Sequence, residues 1–406
     1  MINPDRLLKN MHRLRDFGRH GNGVVRRCLT DIDLESRYWL VEQMRAAKLT
    51  AQIDGIGNVI GLSSNPGPAL LLGSHSDTQP TGGWLDGALG VIYALEVATA
   101  LSENESTRHL AVDVASWADE ESHYLGMMGS RSFCGELPET EIDAASNDAG
   151  ETLRDALSRT GLADRPRLAL ERSRYLGYIE AHIEQGPWLE SENRRIGVVT
   201  SIIGMCDLSV MFRGQQNHAG TTPMHLRRDA VQALFEFCRR VDESFTALSS
   251  ELTVWTVGQL ELHPNARSIV PGLATANLQF RDPDQTVVDQ LRRCAFDLAR
   301  EMDQESGCDI EIEVHDDSAR AVEMDAGITQ SLAESAELRV PGGWRHMPSG
   351  AAHDAQVLAS HLPSGMLFIP SIGGISHDFA ENSREEDIVL GCEVLADAVI
   401  RLLPAK

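Results

Sequence analysis

The sequence predicts an α/β chain whose mixed-sheet domain is interrupted by an inserted α+β unit. Three observations carry this expectation. Apolar runs at 69–73, 110–117 and 366–370 read as buried strands, each followed by polar residues of ligand type. From Asp207 to about Asp317 the pattern becomes strand, helix, two strands, helix and strand, the order of a ferredoxin-like unit. A chain of 406 residues also exceeds what one hydrophobic core usually organises. The expected division is 1–206 with 318–406 for the discontinuous outer domain, and 207–317 for the insertion.

Composition narrows the function. Lys and Arg number 36 against 60 Asp and Glu, a net charge of -24 with no basic run, which argues against nucleic acid and anionic membrane as partners. An anionic ligand would need a local arginine. Seven scattered cysteines without a C-x-x-C pair fit free thiols in a reducing cytoplasm. The N-terminus is too charged for a signal peptide, and no stretch reaches the roughly 18 apolar residues of a membrane span.

Taken in order, Asp31 to Lys48 spaces Leu34, Tyr38, Val41 and Met44 as an amphipathic helix. The stretch 51–62 alternates like paired short strands, and a turn at Asn65–Pro68 leads into the strand at 69–73. His75 and Asp77 stand at its end, with Asp86 at the entry to the apolar segment Ala88–Leu101. His75 can ligate a metal through one ring nitrogen while Asp77 takes the other N–H, and Asp86 offers two oxygens that can bridge two cations. Alone, this motif reads equally as a glycine-rich turn. The strand 110–117 delivers Asp119-Glu120-Glu121; adjacent carboxylates on an extended backbone diverge, so Glu120 and Glu121 can serve different purposes. An isolated Asp-Glu-Glu would be a solvated turn, but the preceding strand and the His75–Asp86 motif favour a ligand beside a base.

Residues 136–174 read as a surface excursion with a helix near Thr152–Arg159. Tyr175–Glu190 carries His182 and Gln185 ahead of a Gly-Pro break, and His182 becomes a ligand candidate because the earlier clusters are short of nitrogen donors. The insertion reads as strand 208–214, helix 228–245, strands 252–262 and 274–282, helix 286–305 and strand 310–315. His218 lies in its small-residue loop, and Arg281 sits where its third strand meets a Pro turn. Beyond it come a helix near 328–338, the strand 366–370, His377 and a closing helix at 385–403. In an open α/β sheet ligands gather at the carboxyl ends of strands, and three His with two carboxylates suit a pair of borderline divalent cations.

The segments GSHSDT, GGWLDGALGV, ADEES, YIEAHIEQGPWLE, QNHAGTTPM, SGAAHDA and GISHDFAE, in this order and spacing, resemble the M20-type metallopeptidase clan. More narrowly they resemble its hydantoinase/carbamoylase amidase branch, which holds N-carbamoyl-L-amino-acid hydrolases, allantoate amidohydrolases and β-ureidopropionases. The resemblance implies a di-metal catalytic domain with an inserted lid and dimerisation domain. It implies two divalent ions per subunit, Zn or Mn with Co or Ni also accepted: one on His75, Asp86 and His182, the other on Asp86, Glu121 and His377. Glu120 would be the general base and His218 the oxyanion donor, reaching the neighbouring subunit of a homodimer. Gln185, His218 and Arg281 match substrate-contacting positions, Arg281 suiting a substrate carboxylate. Asp77 would orient His75, and His353 with Asp354 stays outside the site. The implied reaction is hydrolysis of the carbamoyl C–N bond of an N-carbamoyl or ureido acid such as allantoate, with release of ammonia and carbon dioxide. An N-acyl aminoacylase or dipeptidase is the alternative. A non-catalytic relative is disfavoured because Glu120 and all five ligand positions are filled. Two departures bear on substrate: Ser268 stands where the branch usually has Asn, and Gln279 where it often has Asp.

Overall fold

The computed structural model describes residues 2–315 and 319–403. The chain forms two compact units, the first running to Ile202 and resuming at Glu323, the second spanning Ile203–Val322. The boundary expected at 207 falls inside the strand Gly204–Arg213, which already belongs to the insertion; the one expected at 317 lies outside the described residues.

The first unit is organised by four parallel strands, side by side in the order Ser364–Ile369, Tyr175–Ile183, Ala69–His75 and Val112–Trp117. They are buried along almost their whole length, which is why their sequences are apolar runs rather than alternating ones. Antiparallel strands Val59–Leu62 and Thr50–Ile53 extend one side. On the other, Ile196–Ile202 runs antiparallel to Ser364–Ile369 and carries Trp344–Ser349 in parallel. The last pair was not expected from the pattern. The helix Ala88–Glu103 is apolar on every side because it is enclosed by the strand Ala69–His75 and the helices Pro4–Asp16 and Glu385–Leu402. Its one buried acid, Glu96, accepts from Asn3 N at 2.7 Å and Arg6 Nε at 2.7 Å. Parallel strands place their carboxyl ends on one edge, so the segments after His75, Trp117, Ile183 and Ile369 converge there.

The second unit has a four-stranded antiparallel sheet in the order Val254–His263, Leu273–Asp282, Gly204–Arg213, Asp309–Val314. With the helices Ala230–Leu248 and Gln285–Glu305 this is the expected β-α-β-β-α-β order. Burial alternates along its two central strands, and the inward residues meet the helices in a core that includes Phe212, Phe237, Phe245 and Phe280. Among the described residues, no helix is long and apolar enough to cross a membrane.

Candidate metal centre

His75 is the last residue of its strand, opposite Trp117, and its Nδ1 lies 3.1 Å from the main-chain oxygen of Asp77. His182 stands near the end of the adjacent strand with Nδ1 2.9 Å from Ile183 O. A carbonyl only accepts, so in each neutral ring Nδ1 carries the proton and Nε2 presents its lone pair. Those lone pairs face Asp86: Oδ1 is 3.5 Å from His75 Nε2 and 3.1 Å from His182 Nε2. His377 approaches the other oxygen, with Nε2 3.2 Å from Asp86 Oδ2 and 3.8 Å from Glu121 Oε2. The result is two triads that share Asp86, His75–Asp86–His182 and Asp86–Glu121–His377, each with its ligand atoms within 4.8 Å of one another.

Close approach is built into the loop. Gly87 has φ 61°, and a Cβ there would lie 2.4 Å from the His75 ring. Its N–H donates to His182 Nε2 at 3.0 Å. Behind Asp86 sits a residue that sequence reasoning missed. Glu381 is buried, its Oε1 accepts from Leu85 N at 3.1 Å and Asp86 N at 3.0 Å, and its Oε2 accepts from Ser376 Oγ at 2.8 Å. One carboxylate thus ties the Asp86 loop to the His377 loop. Gly83 makes room for it, since a Cβ there would stand 1.9 Å from Glu381 Oε1.

The acidic segment differs from expectation in its backbone. Glu120 and Glu121 are not in an extended strand, which ends at Trp117, but in a turn flanked by Asp119 and Ser122 at φ 57° and 61°. Asp77 holds this turn. Its carboxylate accepts from Asp119 N at 3.1 Å and Glu121 N at 3.2 Å, so it is Asp77's main chain, not its carboxylate, that meets the His75 ring. The Asp119 carboxylate accepts from the N–H groups of His123, Tyr124 and Leu125. Glu120 Oε2 comes to 3.6 Å from His75 Nε2. Gln185 also reaches the centre, its Nε2 donating to Asp86 Oδ2 at 3.1 Å. His353 packs edge-on to His182 at 4.6 Å and bonds Ser349 Oγ, outside both triads. His218, Ser268 and Arg281 belong to the second unit.

The donor set fits divalent cations. Imidazole lone pairs set 3.1–3.5 Å from carboxylate oxygens repel unless a proton or cation lies between, and Glu121 Oε1 is buried with no hydrogen-bond partner among the described residues. The proton balance agrees. Burial pulls His75 and His182 down, but Glu120 and Asp86 at His75, and Asp86 at His182, outweigh it and the net shift of each is upward. The hydrogen bond with Asp86 raises His377 to about 9. Burial pushes Asp86 up, but its bonds from His182, His377 and His75 outweigh it and hold it well below the usual carboxylate range. Burial raises Glu120 well above that range and Glu121 to about 7.

Residues 71–401 match the model of peptidase family M20/M25/M40, and the chain belongs to that family. Its members are metal-dependent hydrolases. The chain is 34% identical over 412 residues to an N-carbamoyl-L-amino acid amidohydrolase of Geobacillus stearothermophilus, covering 99% of each. It is 33% identical over 393 residues to an allantoate amidohydrolase of Escherichia coli (strain K12), covering 94% of each. A solved hydantoinase/carbamoylase family amidase from Burkholderia phymatum superposes with a TM-score of 0.92 at 49% identity, over 99% of this chain and 98% of that one.

A ligating imidazole must be neutral, whereas His377, at about 9, holds a proton at pH 7.5 in cation-stripped protein. Adding Zn(II) or Mn(II) to stripped protein in weak buffer should therefore release protons, and apparent affinity should climb as pH rises toward 9. Cation uptake with no proton release, followed in a pH-stat, would contradict this assignment.

Proposed function

We propose that this protein is a metal-dependent amidohydrolase that cleaves the carbamoyl C–N bond of an N-carbamoyl or related ureido acid. The observation that carries this reading is the pair of triads on Asp86, in a chain aligned end to end with ureido-acid amidohydrolases. His75, Asp86 and His182 would hold one divalent cation and Asp86, Glu121 and His377 a second. When bound, such cations would polarise the substrate carbonyl and lower the pKa of a bound water from about 15.7 toward about 7.

The remaining chemistry falls to side chains. Glu120 makes no ligand triad, lies beside His75 and has a carboxyl raised by burial, which suits it to take the proton of the attacking water and return it to the leaving nitrogen. The products are ammonia, carbon dioxide and the free amino acid. His218 would be the oxyanion donor. Gly220 N and Thr221 N donate to its Nδ1 at 3.0 and 3.2 Å, so the neutral ring carries its proton outward on Nε2. Gln185 would contact substrate beside Asp86.

Arg281 answers the problem of an anionic substrate on an acidic protein. Its Nε and NH2 donate to Gln279 Oε1 at 3.0 and 2.7 Å, and among the described residues no carboxylate lies within ion-pair distance of it. Gln279, where the branch often has Asp, holds the guanidinium as a neutral partner, and Asp207, which accepts from Gln279 Nε2 at 2.8 Å, acts on it from beyond ion-pair distance. Charge therefore remains for a substrate carboxylate. Ser268, exposed beside the His218 loop, offers a hydroxyl where the branch offers an amide, which points to a substrate other than the commonest ones.

A homodimer formed through the inserted domain supplies the partner subunit that His218 requires. The edge strand Val254–His263 is exposed almost throughout, with Val254 57% and Leu260 52% accessible, and such an apolar edge calls for a covering strand.

Glu120→Gln should keep its cations and lose about 10²–10⁴-fold in kcat; substantial residual turnover by fully loaded variant would refute the base assignment. Arg281→Ala should raise KM for carboxylate substrates, and an unchanged KM would remove that role. The function itself is tested on cation-loaded protein with N-carbamoyl amino acids, allantoate and N-acyl amino acids. Ammonia release from the first two is expected; free amine from N-acyl substrates alone would make it an aminoacylase.

A further inference from the structure

The two triads differ in kind. His75, Asp86 and His182 are all buried, and both rings are fixed at strand ends by main-chain carbonyls. In the other triad the Glu121 side chain is buried but stands on a turn rather than a strand, and the His377 side chain is 51% accessible on a residue at φ 54°. Main-chain carbonyls already fix the strand-borne rings, whereas a carboxylate on a turn needs a side-chain partner to fix it.

Glu121 has such a partner in a residue that the mechanism does not use. Gln79 Nε2 donates to Glu121 Oε2 at 2.6 Å. The Gln79 backbone is itself anchored, because its neighbour Thr78 donates N–H to Arg26 O at 3.0 Å and accepts Arg26 N on Oγ1 at 2.9 Å. The amide engages one carboxylate oxygen and leaves the other, Oε1, buried without a partner among the described residues. An amide does this without adding charge to a centre already crowded with acids.

We propose that Gln79 is a positioning residue that, by holding Glu121, sustains the affinity of the Asp86–Glu121–His377 triad, the weaker and more exchangeable of the two cation positions. The inference rests on the amidohydrolase reading above. It is tested by titrating Mn(II) into chelator-stripped parent protein, Gln79→Leu and His377→Ala, following heat and retained manganese. Gln79→Met, of similar length and also without a donor, replaces the leucine variant if that one fails to fold. Parent protein should take up two equivalents per subunit in two steps of unequal affinity. The Gln79 variant should keep the tight step and weaken the other by about 10–100-fold, the step that His377→Ala removes. Two unaltered steps in the Gln79 variant, or equal loss of both, would overturn the role of Gln79. Fewer than two equivalents in the parent would instead overturn the two-cation reading, and Gln79's role with it.

Discussion

A buried carboxylate facing three imidazole nitrogens is the constraint on which this structure depends. Asp86 is 3% exposed, and its two oxygens look toward His75 and His182 on one side and His377 on the other. Removing an ionised carboxylate from water costs several kcal/mol unless it is compensated. The parallel strands, whose carboxyl ends lie along one edge, deliver that compensation from segments almost 300 residues apart in sequence, as between Asp86 and His377. The sheet is the device that makes remote residues local.

Around this carboxylate the main chain is held in conformations it would not choose. Asp119, Ser122, Gln185 and His377 all have positive φ, each at a cost of about 1–3 kcal/mol. Strain of this kind persists only where bonds over-determine it. Asp77 and the Asp119 side chain fix the Glu120 turn, Ser371 Oγ accepts Gln185 N at 3.1 Å, and Glu381 reaches Ser376 beside His377. These side chains never need to touch substrate. Their work is to place the residues that do.

Much of this was legible in the sequence, for a physical reason. Strands buried on both faces must be continuously apolar, so the runs that end near His75, Trp117 and Ile369 announce themselves, and the helical and strand periods of the insertion do likewise. The ligand residues follow such runs directly. Trp344–Ser349 escaped notice because it is polar and contains Pro348, and its place depends on pairing with Ile196–Ile202. Glu381 and Gln79 escaped because their partners are distant, at Asp86 and Glu121. The signal that would have found Glu381 is steric: Gly83 sits in the GGWLDG motif because its neighbour's carboxylate needs the space. The expected pairing of the Asp77 carboxylate with His75 failed for a subtler reason. Two residues beyond the ring, the carbonyl reaches Nδ1 first, and the side chain is released to hold the next strand's turn.

The net charge of -24 adds a final requirement under the proposed function, that an anionic substrate find a cation free to pair with it. Under the proposed function Arg281, held by Gln279, would meet it, and the acids at the centre face imidazoles and whatever ions these hold. The most direct measurement of that claim is anomalous diffraction from crystals of manganese-loaded protein. The account predicts two peaks, one beside each oxygen of Asp86, the first within reach of His75 and His182 and the second within reach of Glu121 and His377. Anomalous density remote from Asp86, with the imidazoles bonded only to protein, would contradict it.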